Sequence, residues 1–257
     1  MKKILLLMLA MTVCALTGAA QVTLEDGLAQ ALAPCQYYRA DIAYIDDAEG
    51  IEYGSFDVAR ATWLVQQKVQ ITDDQFSCVA HFMAEQYPGA REILRSFVKV
   101  GGKNVDTRDG KGITPFGLVL GRMIDTPYKL SLLEMLYRLG SRDLDPKFAY
   151  SNGPMTVLHV VFFARQGDYW VDQLQAWIDR GVKDTPDYYG KTTLDYVEAK
   201  IESISKGLHI GASYFDVQRW KRPYKKAREI LRESHRTQQQ QQQEAVTKAL
   251  SRSLGHL

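Results

Sequence analysis

Apolar residues along this chain recur mostly three and four positions apart, the spacing of one helix face, and this predicts an all-α protein. Thr23-Leu24-Glu25-Asp26 opens a first helix, with Asp26 three residues after a capping Thr, and Pro34 ends it. Phe56, Ala59, Trp63 and Val65 mark a helix from Ser55 to about Val69. Thr72-Asp73-Asp74-Gln75 has the spacing of a capping box, and Phe76, Val79, Ala80 and Met83 follow it on one face. Tyr87-Pro88-Gly89 is a turn, and a helix from Ala90 to Val100 comes next.

Three amphipathic segments end on glycine: Ile93 to Gly101, Leu132 to Gly140, and Leu174 to Gly181. The glycines are 39 and 41 residues apart (140 − 101, 181 − 140). A glycine just past the last apolar residue stops a helix, because it enters the left-handed region at little cost. Between these segments a second pattern recurs. Asp109-Gly110-Lys111-Gly112-Ile113-Thr114-Pro115-Phe116 reads as a tight turn, an N-cap at Thr114 and Pro115 at the first helical position. Asn152-Gly153-Pro154-Met155-Thr156-Val157-Leu158-His159 and Asp187-Tyr188-Tyr189-Gly190-Lys191-Thr192-Thr193-Leu194-Asp195 repeat it. The capping threonines are 42 and 36 apart (156 − 114, 192 − 156). Thr126-Pro127 caps the second helix of its repeat in the same way. Turn, capped helix, second helix and glycine stop, at a period in this range, indicate a stacked helical repeat.

At these residues the chain resembles the ankyrin-repeat family, whose consensus has D-x-x-G, then T-P-L-H, then a second helix ending L-L-x-x-G. Thr114-Pro115-Phe116 matches the cap but has Gly117 in place of the His. Thr156-Val157-Leu158-His159 keeps the His without the Pro, and Thr192-Thr193-Leu194-Asp195 has neither. The resemblance covers about Ala90 to Lys200. The spacings exceed that family's period of about 33 residues, so insertions between helices are expected. It implies an ankyrin-like helical-hairpin solenoid with helical caps. Residues 1–20 form a signal peptide, 21–89 an N-terminal helical cap and degenerate repeat, 90–206 the repeats, 207–236 a C-terminal helical cap and 237–257 a glutamine-rich tail.

The resemblance also implies a protein-binding module without catalysis, cofactor or metal. Its contacts are the turn tips and the concave face of the first helices. Carried over by position, the tips are Arg108, Asp109, Lys111, Tyr150, Ser151, Asn152, Asp187, Tyr188 and Tyr189. The tyrosines are natural anchors, since Tyr packs a large area at low entropic cost; otherwise they cover neighbouring repeats. The expected partner is another protein, in its sharper form a toxin or effector that the chain neutralises, otherwise the clients of an envelope scaffold. The chain itself is expected to be a monomer.

Both ends of the chain refine this reading. Met1-Lys2-Lys3, the apolar run Ile4 to Val13 and the small residues Gly18-Ala19-Ala20 read as a secretory signal peptide. The run is too short to anchor in a membrane, which takes about 20 apolar residues. Export to the periplasm or medium is therefore expected, and a lipoprotein through Cys14 is disfavoured by Val13 before it. In an oxidising compartment Cys35 and Cys78, the only cysteines after residue 20, can pair; the alternative is two buried thiols. Tyr37, Tyr38, Tyr44 and Tyr53 lie among Asp41, Asp46, Asp47, Glu49 and Glu52, as either a recognition surface or the polar cap of a solenoid end. Asp216 to Arg236 is basic, with eight bases and three acids. Pro223 is expected to break the chain before a basic amphipathic helix from Tyr224 to His235. Gln238 to Gln243 contains nothing that forms a core, so low order is expected from about Thr237.

Motifs for chemistry are few. Cys78 and His81 are three residues apart and are the only handle for a nucleophilic enzyme, but Cys78 falls in an apolar stripe where cysteine is usually a small hydrophobe. No C-x-x-C, Walker loop, dinucleotide fingerprint or nucleophile elbow is present. Basic residues cluster only near the C-terminus, which gives little support to nucleic-acid binding. His159, three residues after Thr156, has the place of the ankyrin-family histidine that braces its own hairpin.

Overall fold

A computed structural model of the chain describes residues 24–39, 44–45, 53–122, 126–144, 155–164, 169–206 and 214–254. The signal segment and the lipoprotein candidate Cys14 lie outside these residues. The described residues are mostly helical, and the chain divides into two compact units. The first comprises residues up to Arg122 together with Met135–Asp143; the second comprises Met123–Glu134 and Leu144 onward.

In the first unit, helix α1 (residues 24–31) runs into a 3-10 turn, Ala33–Tyr37, with Pro34 in its first positions. A small antiparallel pair follows, β1 (Tyr38–Arg39) and β2 (Tyr44–Ile45), with Tyr38 opposite Ile45. The helical periodicity gave no sign of this pair; its aromatic and β-branched residues suit extended backbone. Tyr37 stacks on Tyr53, and Tyr53 on Phe82 and Tyr87. Tyr53 therefore packs edge-on against the buried Phe82, and Tyr37, half-buried, packs on Tyr53.

Helix α2 (Val58–Gln66) begins three residues later than the expected Ser55, because Asp57 is the cap that accepts from the Arg60 N–H at 2.9 Å. Its buried stripe is Ala61, Leu64 and Val65, and Trp63, assigned to the stripe by spacing, is 51 % exposed. Helix α3 (Asp73–Ala84) carries the expected capping box, with Thr72 and Gln75 bonding each other's backbone N–H. All residues from Phe76 to Ala84 are buried. Such a helix must be central, and α3 packs against both α4 (Ala90–Lys99) and α5 (Pro115–Gly121). Phe76, Phe82, Phe97 and Phe116 are wholly buried, each contributing about 1.5–3 kcal/mol on transfer from water. Cys35 and Cys78 are joined by a disulfide, which ties the 3-10 turn to α3.

Helix α6 (Thr126–Arg138) is shared, its residues to Glu134 belonging to the second unit. Thr126 is its first helical residue, so it does not stand before the helix as a cap. In the second unit follow α7 (Val157–Ala164), α8 (Trp170–Asp179), α9 (Thr193–Lys206) and α10 (Tyr214–Leu254). Helix α7 packs on α8 and α9, and α10 lies on both α8 and α9. Phe162, Trp170 and Tyr224 form a ring cluster with centroids 5.4–6.5 Å apart. Arg180 holds Glu134 with two guanidinium nitrogens and lies over the Trp177 ring.

Helix α10 departs most from expectation. It runs 41 residues through Pro223 and the glutamine run without interruption. An interior proline removes one ladder bond and costs about 3 kcal/mol. Buried Val217 before it and Ala227 and Leu231 after it anchor the helix on both sides, which offsets that cost.

Four helix stops share one geometry. After α6, the Gly140 N–H donates to Tyr137 O and the Ser141 N–H to Leu136 O. After α8, Gly181 and Val182 donate to Ile178 and Trp177 in the same way. After α2 and α3 the left-handed position is taken by Lys68 and Gln86, both at φ 62°, with the same pair of bonds. These are Schellman stops. The α4 stop is different: Gly101 is not left-handed, and Gly102 (φ 67°) is. Gly101 is instead required by space, since a Cβ there would lie 2.4 Å from Ile71 Cδ1.

Candidate functional site

The two described turns that precede capped helices are built alike, one in each unit. In Asp109–Ile113, Asp109 Oδ1 accepts from the N–H groups of Lys111 (2.9 Å) and Ile113 (2.8 Å), and the Asp109 N–H donates to Ile113 O. In Asp187–Lys191, Asp187 Oδ1 accepts from Tyr189 (2.8 Å) and Lys191 (3.0 Å), and its N–H donates to Lys191 O. Gly112 and Gly190 supply the left-handed residue at the same place in each turn, at φ 79° and 71°. An aspartate is needed because one carboxylate oxygen must accept two converging N–H groups while the other reaches outward.

The outward oxygens find different partners. Asp109 Oδ2 lies 2.9 Å from His81 Nε2, both side chains being buried. An ionised carboxylate only accepts, so Nε2 carries the proton and Nδ1 is left buried without a partner. Burial alone would raise the Asp109 pKa. The His81 bond, the two turn N–H groups and the His81 charge outweigh it and hold the carboxyl below its ordinary 3.8. Asp187 Oδ2 accepts from the Tyr196 hydroxyl at 2.7 Å. Burial and this carboxylate push the Tyr196 phenol up to about 12, and the Asp187 carboxyl is held low despite burial by the same hydroxyl and by the turn N–H groups.

A second aspartate stands three residues before each turn. Asp106 accepts from the Ser141 hydroxyl (2.6 Å) and the Arg142 N–H (2.9 Å). Asp184 accepts from the N–H groups of Thr193 (2.7 Å) and Leu194 (3.1 Å) at the start of α9, and from His235 Nε2 (3.1 Å). Sequence reading missed both, although the D-x-x-D pairs Asp106/Asp109 and Asp184/Asp187 were visible.

The helix caps vary on one plan. Thr114 accepts from the Gly117 N–H, with Pro115 next to it. Thr156 and His159 bond reciprocally. His159 Nδ1 faces the Thr156 N–H (3.2 Å) and hydroxyl (2.9 Å), so Nε2 bears the proton it donates to Lys191 O at 3.0 Å. His159 thereby ties α7 to the Asp187 turn, and burial, its largest influence, lowers its pKa against the raising effects of the Lys191 carbonyl and Asp184, Asp187 and Asp195. At Thr192 the carboxylate of Asp195 replaces the imidazole, accepting from the Thr192 N–H (2.7 Å) and hydroxyl (2.8 Å).

No protein-family model matches this chain, and no curated protein matches it.

The tip residues expected from sequence are not equivalent. Asp109 is 8 % exposed and spent on its turn. Arg108 donates to Gly112 O at 2.7 Å and pairs with Asp143, so it braces the same turn. Lys111 is exposed. Tyr150, Ser151 and Asn152 lie outside the described residues. Tyr188 and Tyr189 are 64 % and 76 % exposed, with ring centroids 5.4 Å apart, edge to face. The first helices differ: Ile113–Leu120 and Thr156–Phe162 are buried throughout, whereas α9 buries only Thr193 and Val197.

The chemical alternatives narrow as well. Cys78 is bonded to Cys35 and His81 is bound to Asp109, so the pair presents no free thiol here. Lys129, buried in α6, has its pKa lowered to about 8 by desolvation; nothing in the sequence marked it. Among the described residues no group of three His, Cys, Asp or Glu side chains is placed to hold a metal, and no helix is long and apolar enough to cross a membrane.

Proposed function

We propose that the chain is an ankyrin-like protein-binding module whose principal contact is the Tyr188–Tyr189 tip. The observation that carries this reading is a turn locked by Asp187 through two N–H bonds and by Tyr196 through a third, displaying two exposed tyrosines side by side. Tyrosines held on a rigid turn lose little conformational freedom on binding, and they combine apolar area with a hydroxyl. The repeated turns, the Thr–His cap and the glycine stops support the ankyrin-like reading because they place the same bonds at corresponding positions.

The partner is another protein in the compartment reached by export, and its identity decides between neutralising a toxin or effector and acting as an envelope scaffold. The test is affinity capture by residues 21–257 from the envelope and secreted fractions of the source cells, beside the variant Tyr188→Ala with Tyr189→Ala. One dominant protein, retained by the parent and lost by the variant at unchanged helicity, is the expected result. Equal retention by both would remove the tip from the interface.

A further inference from the structure

Helices α8 and α10 run side by side in the second unit, tied at two places. Lys226 pairs with Asp172 at 2.9 Å near the start of α8, and His235 reaches Asp184 beyond its end. Both segments meet the two links in the same order, so the helices run parallel. Along them lies a groove of about 580 Å³. Its floor is apolar: Ile178 and Ile230 are half-buried and Val182 is buried. On α10, Ile230, Thr237 and Gln241 fall within about 20° of one line at about 100° per residue, so one face follows the groove for three turns, about 16 Å. The buried Ala227 and Leu231 that seat α10 lie about 60–100° to one side of that line. Glu229 and Glu233 lie about 60–100° to the other side and form the outer wall.

The walls are acidic. Asp179, Glu229 and Glu233 are exposed carboxylates, and Lys183 is the one cation that lines the groove. Glu233 meets Arg236 at 3.4 Å with both side chains largely exposed, a pair of little strength. Helix α8 also ends here, at Asp179, and the negative end of its dipole adds to the attraction for cations. We propose that this groove binds an amphipathic helix of another protein. The helix sets an apolar stripe on Ile178, Val182 and Ile230, and two lysines or arginines one turn apart against Glu229 and Glu233. Two helix flanks have their backbone groups bonded internally and offer no edge to an extended peptide, whereas a third helix fits between them. The site lies apart from the tyrosine tip in sequence and does not rest on it.

The test is fluorescence anisotropy of residues 21–257 with a labelled helical peptide of about 16 residues, leucines along one face and lysines on its flanks. Two control peptides carry glutamates for the lysines or serines for the leucines. The expected result is saturable binding of the lysine peptide and of neither control. Glu229→Lys with Glu233→Lys should weaken that binding at least tenfold and admit the glutamate peptide. Both side chains are exposed, so the variant keeps its helicity and unfolding midpoint. Tyr188→Ala with Tyr189→Ala should leave the peptide bound as before, which separates this site from the tip. Absence of binding below about 1 mM overturns the proposal. So does equal binding of the serine peptide, since charge alone would then hold it. Indifference to the double reversal overturns it too, as does an equal loss on reversing Glu202, an exposed acid of α9 that does not line the groove.

Discussion

Reducing the Cys35–Cys78 disulfide should cost the first unit a large part of its stability. The bond closes a loop with a sequence separation of 43. On the chain-entropy model a loop of that size restrains the unfolded chain by about 4 kcal/mol at room temperature. Domains of ordinary size are stable by only about 5–15 kcal/mol in all. The native contacts need not change on reduction: Leu28, Ala31 and Leu32, just before the bond, are buried by packing and remain so. The effect should therefore appear in the unfolded state, as a lower urea midpoint at nearly native helicity. Amide exchange of α3, followed across a urea series with and without reductant, reads the unit that contains the bond. Reduction is cleaner than Cys78→Ser, which would set a hydroxyl in a site only 1 % exposed. A loss below about 1 kcal/mol would refute the reasoning, because it would mean the unfolded chain is already compact around this loop.

Other outcomes follow from local geometry. Lys68→Gly and Gln86→Gly should each stabilise by about 0.5–1 kcal/mol in urea titrations, by relieving left-handed backbone at two Schellman stops. Gly101→Ala should be more damaging than Gly140→Ala: its Cβ would meet Ile71 and, at 2.8 Å, Phe97 O, whereas Gly140 faces open space and only its φ of 108° resists. The expected losses are about 2–3 and about 1 kcal/mol. His159, whose folded pKa is lowered, takes up a proton more readily when unfolded, so stability should fall as pH drops through 6.5; His159→Asn should flatten that slope. Asp109 and Asp187 have lowered pKa values, so the stability they contribute is present above the unfolded value of 3.8 and is lost as pH falls below it through the folded values; Asp187→Asn should reduce that acid loss.

Much of the local structure was legible because its causes lie within a few residues. Thr72 with Gln75, Thr114 with Gly117 and Thr156 with His159 bond within three positions, so their spacing alone identifies them. Gly140 and Gly181 were readable as stops for the same reason. The candidate site was readable only in part. Tyr188 and Tyr189 were named from their place in the turn, but spacing could not separate them from Asp109 and Arg108, which the structure commits to bracing.

By itself, then, the sequence determined the helical class, the turns at Asp109 and Asp187 and the caps at Thr72, Thr114 and Thr156, since these depend on backbone preferences and short-range bonds. Tertiary structure alone decided which partners converge from far along the chain. It joined Cys35 to Cys78, brought His81 to Asp109 and His235 to Asp184, exposed Trp63 and carried α10 through Pro223. In each case the deciding free energy comes from burial against residues tens of positions away, and periodicity within a window does not report it.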